Sequence, residues 1–214
     1  MFDLTQEPTK KLLGVDPGSK HLGLCLIEFD VLFNIVNIAT QTINVSSVAR
    51  KYKDAFLISE RFSRLLYMEK ILYDFLLVNQ PEYVIHEDAY YNAFTPGSYC
   101  ALIECNSMIR SCVYKYNQKV LTTKVKPSVA KKLIGAKGNK GKESIKPQLL
   151  KYSKLKNFTA VVESSDEHSC DAISIALSGL NRLEIFNNIQ YIEPKSKAKR
   201  KVVKKYENSA SNLS

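Results

Sequence analysis

Apolar residues come in short runs separated by turn residues, and the spacing within them changes period twice. Residues 11–16 form a run ending on Asp16, after which Pro17-Gly18-Ser19 turn the chain. A second run spans 21–29 (HLGLCLIEF) and a third 33–45 (FNIVNIATQTINV). The connections are too short for a crossover, so the three predict an antiparallel meander. Over 54–79 the period becomes helical: Phe56, Leu57, Phe62, Leu65, Leu66, Ile71, Leu72, Phe75 and Leu76 make one apolar face. Strand 82–86 then closes a strand–helix–strand crossover, hence a parallel pairing. A helix over 98–116, apolar at Leu102, Ile103, Ile109, Cys112 and Val113, leads to a fifth strand at 118–125. A short helix near 128–134, a Gly/Lys loop, a helical stretch near 143–154 and a closing helix near 167–184 complete the pattern. Pro147 inside the second stretch demands a kink or a later helix start. The expected fold is α/β: a mixed five-stranded sheet, three-strand meander plus two parallel strands, with helices on both faces. The expected organisation is an extension at 1–10, a domain at 11–186 and a basic, disordered tail at 187–214.

Two of these runs stop at a carboxylate: LLGV at Asp16 and YVI, one residue beyond His86, at Glu87. An acid is a poor guest inside a buried strand, so these positions call for a reason other than packing. If strands one and four are parallel neighbours about 4.8 Å apart, the two carboxylates converge at one edge. Ligand sites in such sheets lie beyond the carboxyl ends of the strands. The closing helix opens with DEHSCDAISIALSG, which places His168 and Asp171 nearly one turn apart on one face. Converging carboxylates favour a hard divalent cation such as Mg²⁺. Each residue also has a plainer reading. Asp16 suits a turn before Pro-Gly, Glu87 a strand end, Asp171 a helix N-terminus, and His168 a satisfied polar group. Asp88, Asp166 and Glu167 are acids near enough to replace a ligand, and His21 and His86, within strands, read as structural.

Charge adds a second surface. The net charge is +10, but residues 115–156 hold thirteen Lys against one acid, Glu143, and 195–205 hold seven Lys or Arg and none. The two stretches together carry +19, so the remainder stands at −9. An acidic site beside a segregated basic surface suits an enzyme acting on nucleic acid; a solubilising face with a charged tail is the alternative. Lysines in Gly135–Lys142 could approach a phosphate backbone closely, or belong to a solvated linker; the segment is no Walker loop. The five cysteines, at 25, 100, 105, 112 and 170, contain no C-x-x-C pair. Their odd number argues against a disulfide framework, and Cys105 and Cys112 read as buried small hydrophobes. No apolar stretch reaches about 18 residues and no secretory h-region opens the chain, so the expected setting is cytoplasmic or nucleoid-associated, with an organelle or phage-infected host as alternatives.

The segments GVDPGSKHLG, VIHEDAYYNAF, VKPSVAKKLIGAKGNKGKESI and HSCDAISIAL, in this element order over about 11–180, resemble the RuvC family of Holliday-junction resolvases within the RNase H-like nuclease superfamily. The resemblance implies that Asp16, Glu87, His168 and Asp171 are catalytic metal ligands, the H-x-x-D pair being one of two forms in the family. It makes Tyr90, three positions after Glu87, the aromatic that wedges into a junction, with Tyr91 a second candidate. Lys142 matches the lysine near the scissile phosphate. The loop is a residue longer than the family pattern, which lets Lys140 exchange roles with it. Lys131, Lys132 and Lys137 complete the expected DNA contacts.

The expected activity is structure-selective, metal-dependent hydrolysis of a phosphodiester in a four-way DNA junction. Two metal ions per site, Mg²⁺ with Mn²⁺ as a substitute, would activate the water and stabilise the leaving oxygen. Paired nicks need two sites, so a homodimer is expected, with the 98–116 helix as its interface by resemblance. Alternatives within the class are a fork or flap debranching nuclease and an RNase H-like nuclease. Outside it stand a non-cutting junction binder and an actin-like or sugar-kinase ATPase, whose first phosphate loop DPGSKHLG also resembles.

Overall fold

The computed structural model describes residues 8–46, 57, 59–91, 96–136 and 144–190. Its strands are β1 (Lys10–Pro17), β2 (His21–Phe29), β3 (Ile35–Asn44), β4 (Tyr83–Glu87) and β5 (Leu121–Val125). They form one sheet in the order β3-β2-β1-β4-β5. The meander is antiparallel, whereas β4 runs parallel to β1 and β5 parallel to β4, as the spacing predicts. The helices are α1 (Glu60–Asn79), α2 (Pro96–Tyr116), α3 (Pro127–Leu133), α4 (Ile145–Leu149), α5 (Thr159–Ser164) and α6 (Glu167–Gln190), with a 3₁₀ helix at Ser153–Phe158.

Strand alternation decides which residues face which helices. Leu13 and Val15 of β1, Leu22, Leu24 and Leu26 of β2, and Val84 of β4 point to one side. There they meet Met68, Leu72 and Leu76 of α1 and Cys105, Ile109, Cys112 and Val113 of α2. The intervening positions face α6, whose residues 169–180 are buried throughout. Leu12 and Ile85 meet α6 at Gly179, and Gly14 lies directly beneath Ala172 and Ala176. A Cβ on Gly14 would stand 2.6 Å from the Ala172 carbonyl oxygen and 2.7 Å from the Ala176 Cβ. Only glycine at the centre of β1 lets α6 settle to this depth. The contact fixes how far the N-terminal turn of α6 reaches over the sheet.

Several boundaries differ from the sequence pattern. Helix α1 begins at Glu60, where Ser59 accepts a hydrogen bond from the Phe62 amide; residues 54–56 and 58 of the expected helix lie outside the described residues. Pro147 falls in the first turn of α4, where an N–H has no intrahelical partner to lose, so the helix starts late instead of kinking. Helix α6 continues past residue 184 to Gln190. The chain divides into compact units at Met1–Leu180 and Asn181–Ser214, the first holding all five strands. All five cysteines are free thiols, four of them buried, and burial pushes Cys105 up to about 11 and Cys112 up to about 12. Among the described residues no helix is long and apolar enough to cross a membrane.

The β2–β3 turn depends on Asp30. Its carboxylate accepts hydrogen bonds from the Leu32 amide at 2.9 Å, the Asn34 amide at 2.8 Å and the Asn34 side chain at 2.9 Å. Partial burial raises its pKa, but these bonds and the nearby Lys154 charge outweigh that and leave it below the ordinary carboxylate value. Such a group stabilises the fold above its unfolded pKa, and the contribution is lost as pH falls through the depressed folded value. Asp30→Ala is therefore expected to cost roughly 1 kcal/mol at pH 7 and progressively less as pH falls below the ordinary carboxylate range. Urea unfolding over a series of pH values from 7 downward checks this; a deficit that does not change with pH would trace the loss to packing.

Candidate active site

The β1–β2 register pairs Asp16 with Gly23 and Pro17 with Leu22, and the Gly18 amide closes the turn on the His21 carbonyl at 2.9 Å. Asp16 shares the α6 face with Leu12 and Gly14. On β4 the last paired step is Val15 with His86, so Glu87 follows on the next strand at the level of Asp16, on the face of Ile85. The two acids do stand at adjacent carboxyl ends on one side of the sheet. The first turn of α6 comes down over Asp16: His168 Nδ1 and Asp16 Oδ2 are hydrogen bonded at 3.1 Å. Asp171, one turn along, is buried at 9% exposure and Asp16 at 8%. Burying two carboxylates on one face is costly without opposite charge nearby.

Gly23 allows the approach. A Cβ there would lie 2.4 Å from the His168 carbonyl oxygen and 3.2 Å from the Asp16 Cβ. The helix end is also tied to the edge strand. Asp166 accepts from Thr42 Oγ1 at 2.6 Å and from the Ser169 amide at 2.8 Å, while Thr40 and Ser165 hydroxyls bond at 3.1 Å. Burial raises the Asp166 carboxyl, but the Thr42 and Ser169 hydrogen bonds, with His168 nearby, hold it below its ordinary value. Asp166 thus caps α6, and Asp88 pairs with Lys124 at 2.9 Å; both acids have structural partners.

The two remaining histidines part company. His86 is buried on the α1/α2 side with Nδ1 on the Glu87 carbonyl at 3.0 Å, and burial lowers its pKa, which fits a structural role. His21 belongs to the site: its ring stacks on His168 with centroids 4.6 Å apart and planes inclined by 20°. The sequence held the signal for this, because His21 and Gly23 must share a face of β2.

Beyond the ends of β4 and β5, Tyr90, Tyr91, Lys126, Pro127, Ser128 and Lys131 line a groove of about 560 Å³. Tyr90 is 56% and Tyr91 67% exposed, which rules out core filling, and Tyr91 meets Tyr99 edge-on at 5.6 Å. Lys132 is exposed on α3. Lys137, Lys140 and Lys142 lie outside the described residues.

The donors fit a hard divalent cation in kind, carboxylates from β1, β4 and α6 with an imidazole, but not as a finished cage. Among the described residues no three His, Cys, Asp or Glu side chains stand close enough to hold an ion, and Asp16 and His168 are engaged with each other.

The fold matches that of solved Holliday-junction resolvases. A Thermus thermophilus RuvC in complex with a Holliday junction substrate superposes with a TM-score of 0.55 at 15% identity, covering 81% of this chain and 94% of that one. A second T. thermophilus RuvC structure gives 0.52 at 15% identity over 80% and 95%. The yeast mitochondrial Holliday junction resolvase Ydc2 gives 0.52 at 15% identity, covering 86% of this chain and 85% of that one. No family model matches the sequence, and no curated protein matches it. The chain therefore has the RNase H-like fold in the form taken by RuvC-type resolvases.

Proposed function

We propose that the protein is a divalent-metal-dependent DNA endonuclease that resolves four-way junctions, acting as a homodimer. The observation that carries this reading is the meeting of Asp16 and His168 over Gly23, at the strand end that Glu87 shares, in a resolvase-like fold. Asp16, Glu87, His168 and Asp171 are the residues that would hold two Mg²⁺ or Mn²⁺ ions, which when bound stabilise charge on the phosphate and acidify a water. With Nδ1 of His168 turned to Asp16, Nε2 is the ring position left either to ligate an ion or, in its place, to orient the attacking water. Tyr90 and Tyr91 offer faces on which unpaired junction bases stack, and Lys131, with Lys132, Lys137, Lys140 and Lys142, neutralises backbone phosphates. Exposed positions of α2, among them Ile103 at 43% and Tyr114 at 63%, form the face offered to a second copy. Light scattering should then give about twice the 24.2 kDa of one chain.

The test is a synthetic four-way junction, a fork and a linear duplex, each with Mg²⁺. Paired, symmetric nicks in the junction alone support the reading. A fork cut equally fast makes the protein a broader debranching nuclease, and uncut junctions overturn nuclease function on this substrate. Tyr90→Ala is expected to weaken junction binding about tenfold, and Lys131→Gln to reduce the slope of log Kd against log salt by about one. Fluorescence anisotropy at several salt concentrations measures both; unchanged values would remove the groove from the DNA interface.

A further inference from the structure

Two contacts bear on the ring of His168, a hydrogen bond to a carboxylate and a stacked aromatic ring. An imidazole nitrogen bonds along the plane of its ring, so the hydrogen bond to Asp16 favours one rotation of the ring within that plane. It leaves the tilt of the plane open. The tilt is set from the other side, where the ring of His21 lies against the face of His168, 4.6 Å away and nearly parallel. This is the offset or stacked geometry in which aromatic rings attract. His21 arrives there because the Gly18–His21 turn opens β2 beside Asp16, and because Gly23, next on the same face, lets the backbone of His168 descend to the sheet. A side chain on Gly23 would lift α6, and a non-aromatic residue at 21 would take the stacked face away from the ring of His168.

We propose that His21 is a positioning residue of the active site, one that holds the plane of His168 by stacking while Asp16 holds its in-plane rotation. The proposal rests on the nuclease reading for its kinetic consequence, but not for its structural one. What His21 supplies is a flat aromatic face, so phenylalanine should replace it and alanine should not. Misplacement of a catalytic group by an ångström or less costs up to about 10²-fold in rate.

The experiment compares wild type, His21→Ala and His21→Phe in two measurements. In the first, the His168 ring resonances are assigned by NMR without DNA or metal, using His168→Gln to identify them. Loss of the neighbouring ring current should shift them in His21→Ala, and His21→Phe should keep a ring-current shift. In the second, single-turnover cleavage of a four-way junction and junction affinity are measured separately. His21→Ala should slow cleavage by about 10- to 100-fold with affinity within twofold of wild type, and His21→Phe should recover to within about threefold. A His168 signal indifferent to His21→Ala overturns the stacking claim whatever the protein cuts. Wild-type cleavage in His21→Ala overturns its catalytic relevance. A His21→Phe variant as slow as alanine assigns the role to the imidazole nitrogens and overturns positioning by stacking. If no junction is cut even by wild type, the nuclease reading fails while the NMR result still decides the stacking.

Discussion

Asp16→Asn should abolish junction cleavage, lowering the single-turnover rate by on the order of 10³-fold or more, while junction binding persists. The substitution is nearly isosteric and leaves an oxygen able to accept from His168 Nδ1, so the local fold and the ring's rotation survive. What disappears is one negative charge at the strand end nearest to the first turn of α6. A metal site assembled from few carboxylates does not tolerate that loss. Binding should hold or tighten slightly, because removing a carboxylate from a surface that meets phosphates reduces repulsion. Gel-shift and single-turnover measurements on the same junction separate the two effects. Full cleavage by the variant would refute the assignment of Asp16.

Gly14→Val should be among the most destabilising single changes in the sheet. Its Cβ would collide with the Ala172 carbonyl and with the backbone nitrogen and Cβ of Ala176, none of which moves without lifting α6. Overpacking of this kind costs about 3 kcal/mol or more. For a chain of this size that lowers Tm by roughly 6–12 °C. Gly97 supplies the control, since nothing lies within 4 Å of its added Cβ and Gly97→Ala should change Tm little. Cleavage by Gly14→Val should fall further than the folded fraction does, because lifting α6 carries His168 and Asp171 away from Asp16. Thermal scans with activity measured at low temperature distinguish this; an unaltered Tm would show that α6 does not bear on Gly14.

Much of this architecture was legible from alternation alone. The runs ending at Asp16 and Glu87, with a crossover helix between them, allowed parallel neighbours with adjacent acids without requiring them, and β1 and β4 do pair. The closing helix was placed too, although the pattern did not single out its first half, DAISIALSG, as buried. What alternation could not convey was depth and register between elements distant in sequence. The stacking of His21 on His168 depends on a turn that sets the β2 register and on two glycines that set the height of α6. The capping of α6 by Asp166 depends on Thr42 from the far edge of the meander, 124 residues away in sequence. Tertiary pairings of this kind leave no local periodicity. The late start of α4 follows one rule, proline in a first turn, that the pattern allowed without selecting.

Everything here depends on one strand-end site being able to capture divalent ions, which is most directly measured by titrating Mn²⁺ into the protein without DNA and following the bound ion by electron paramagnetic resonance. Saturable binding by wild type, at least tenfold weaker in both Asp16→Asn and Glu87→Gln, is the expected result. Binding that neither substitution disturbs, or none at all, would contradict the account.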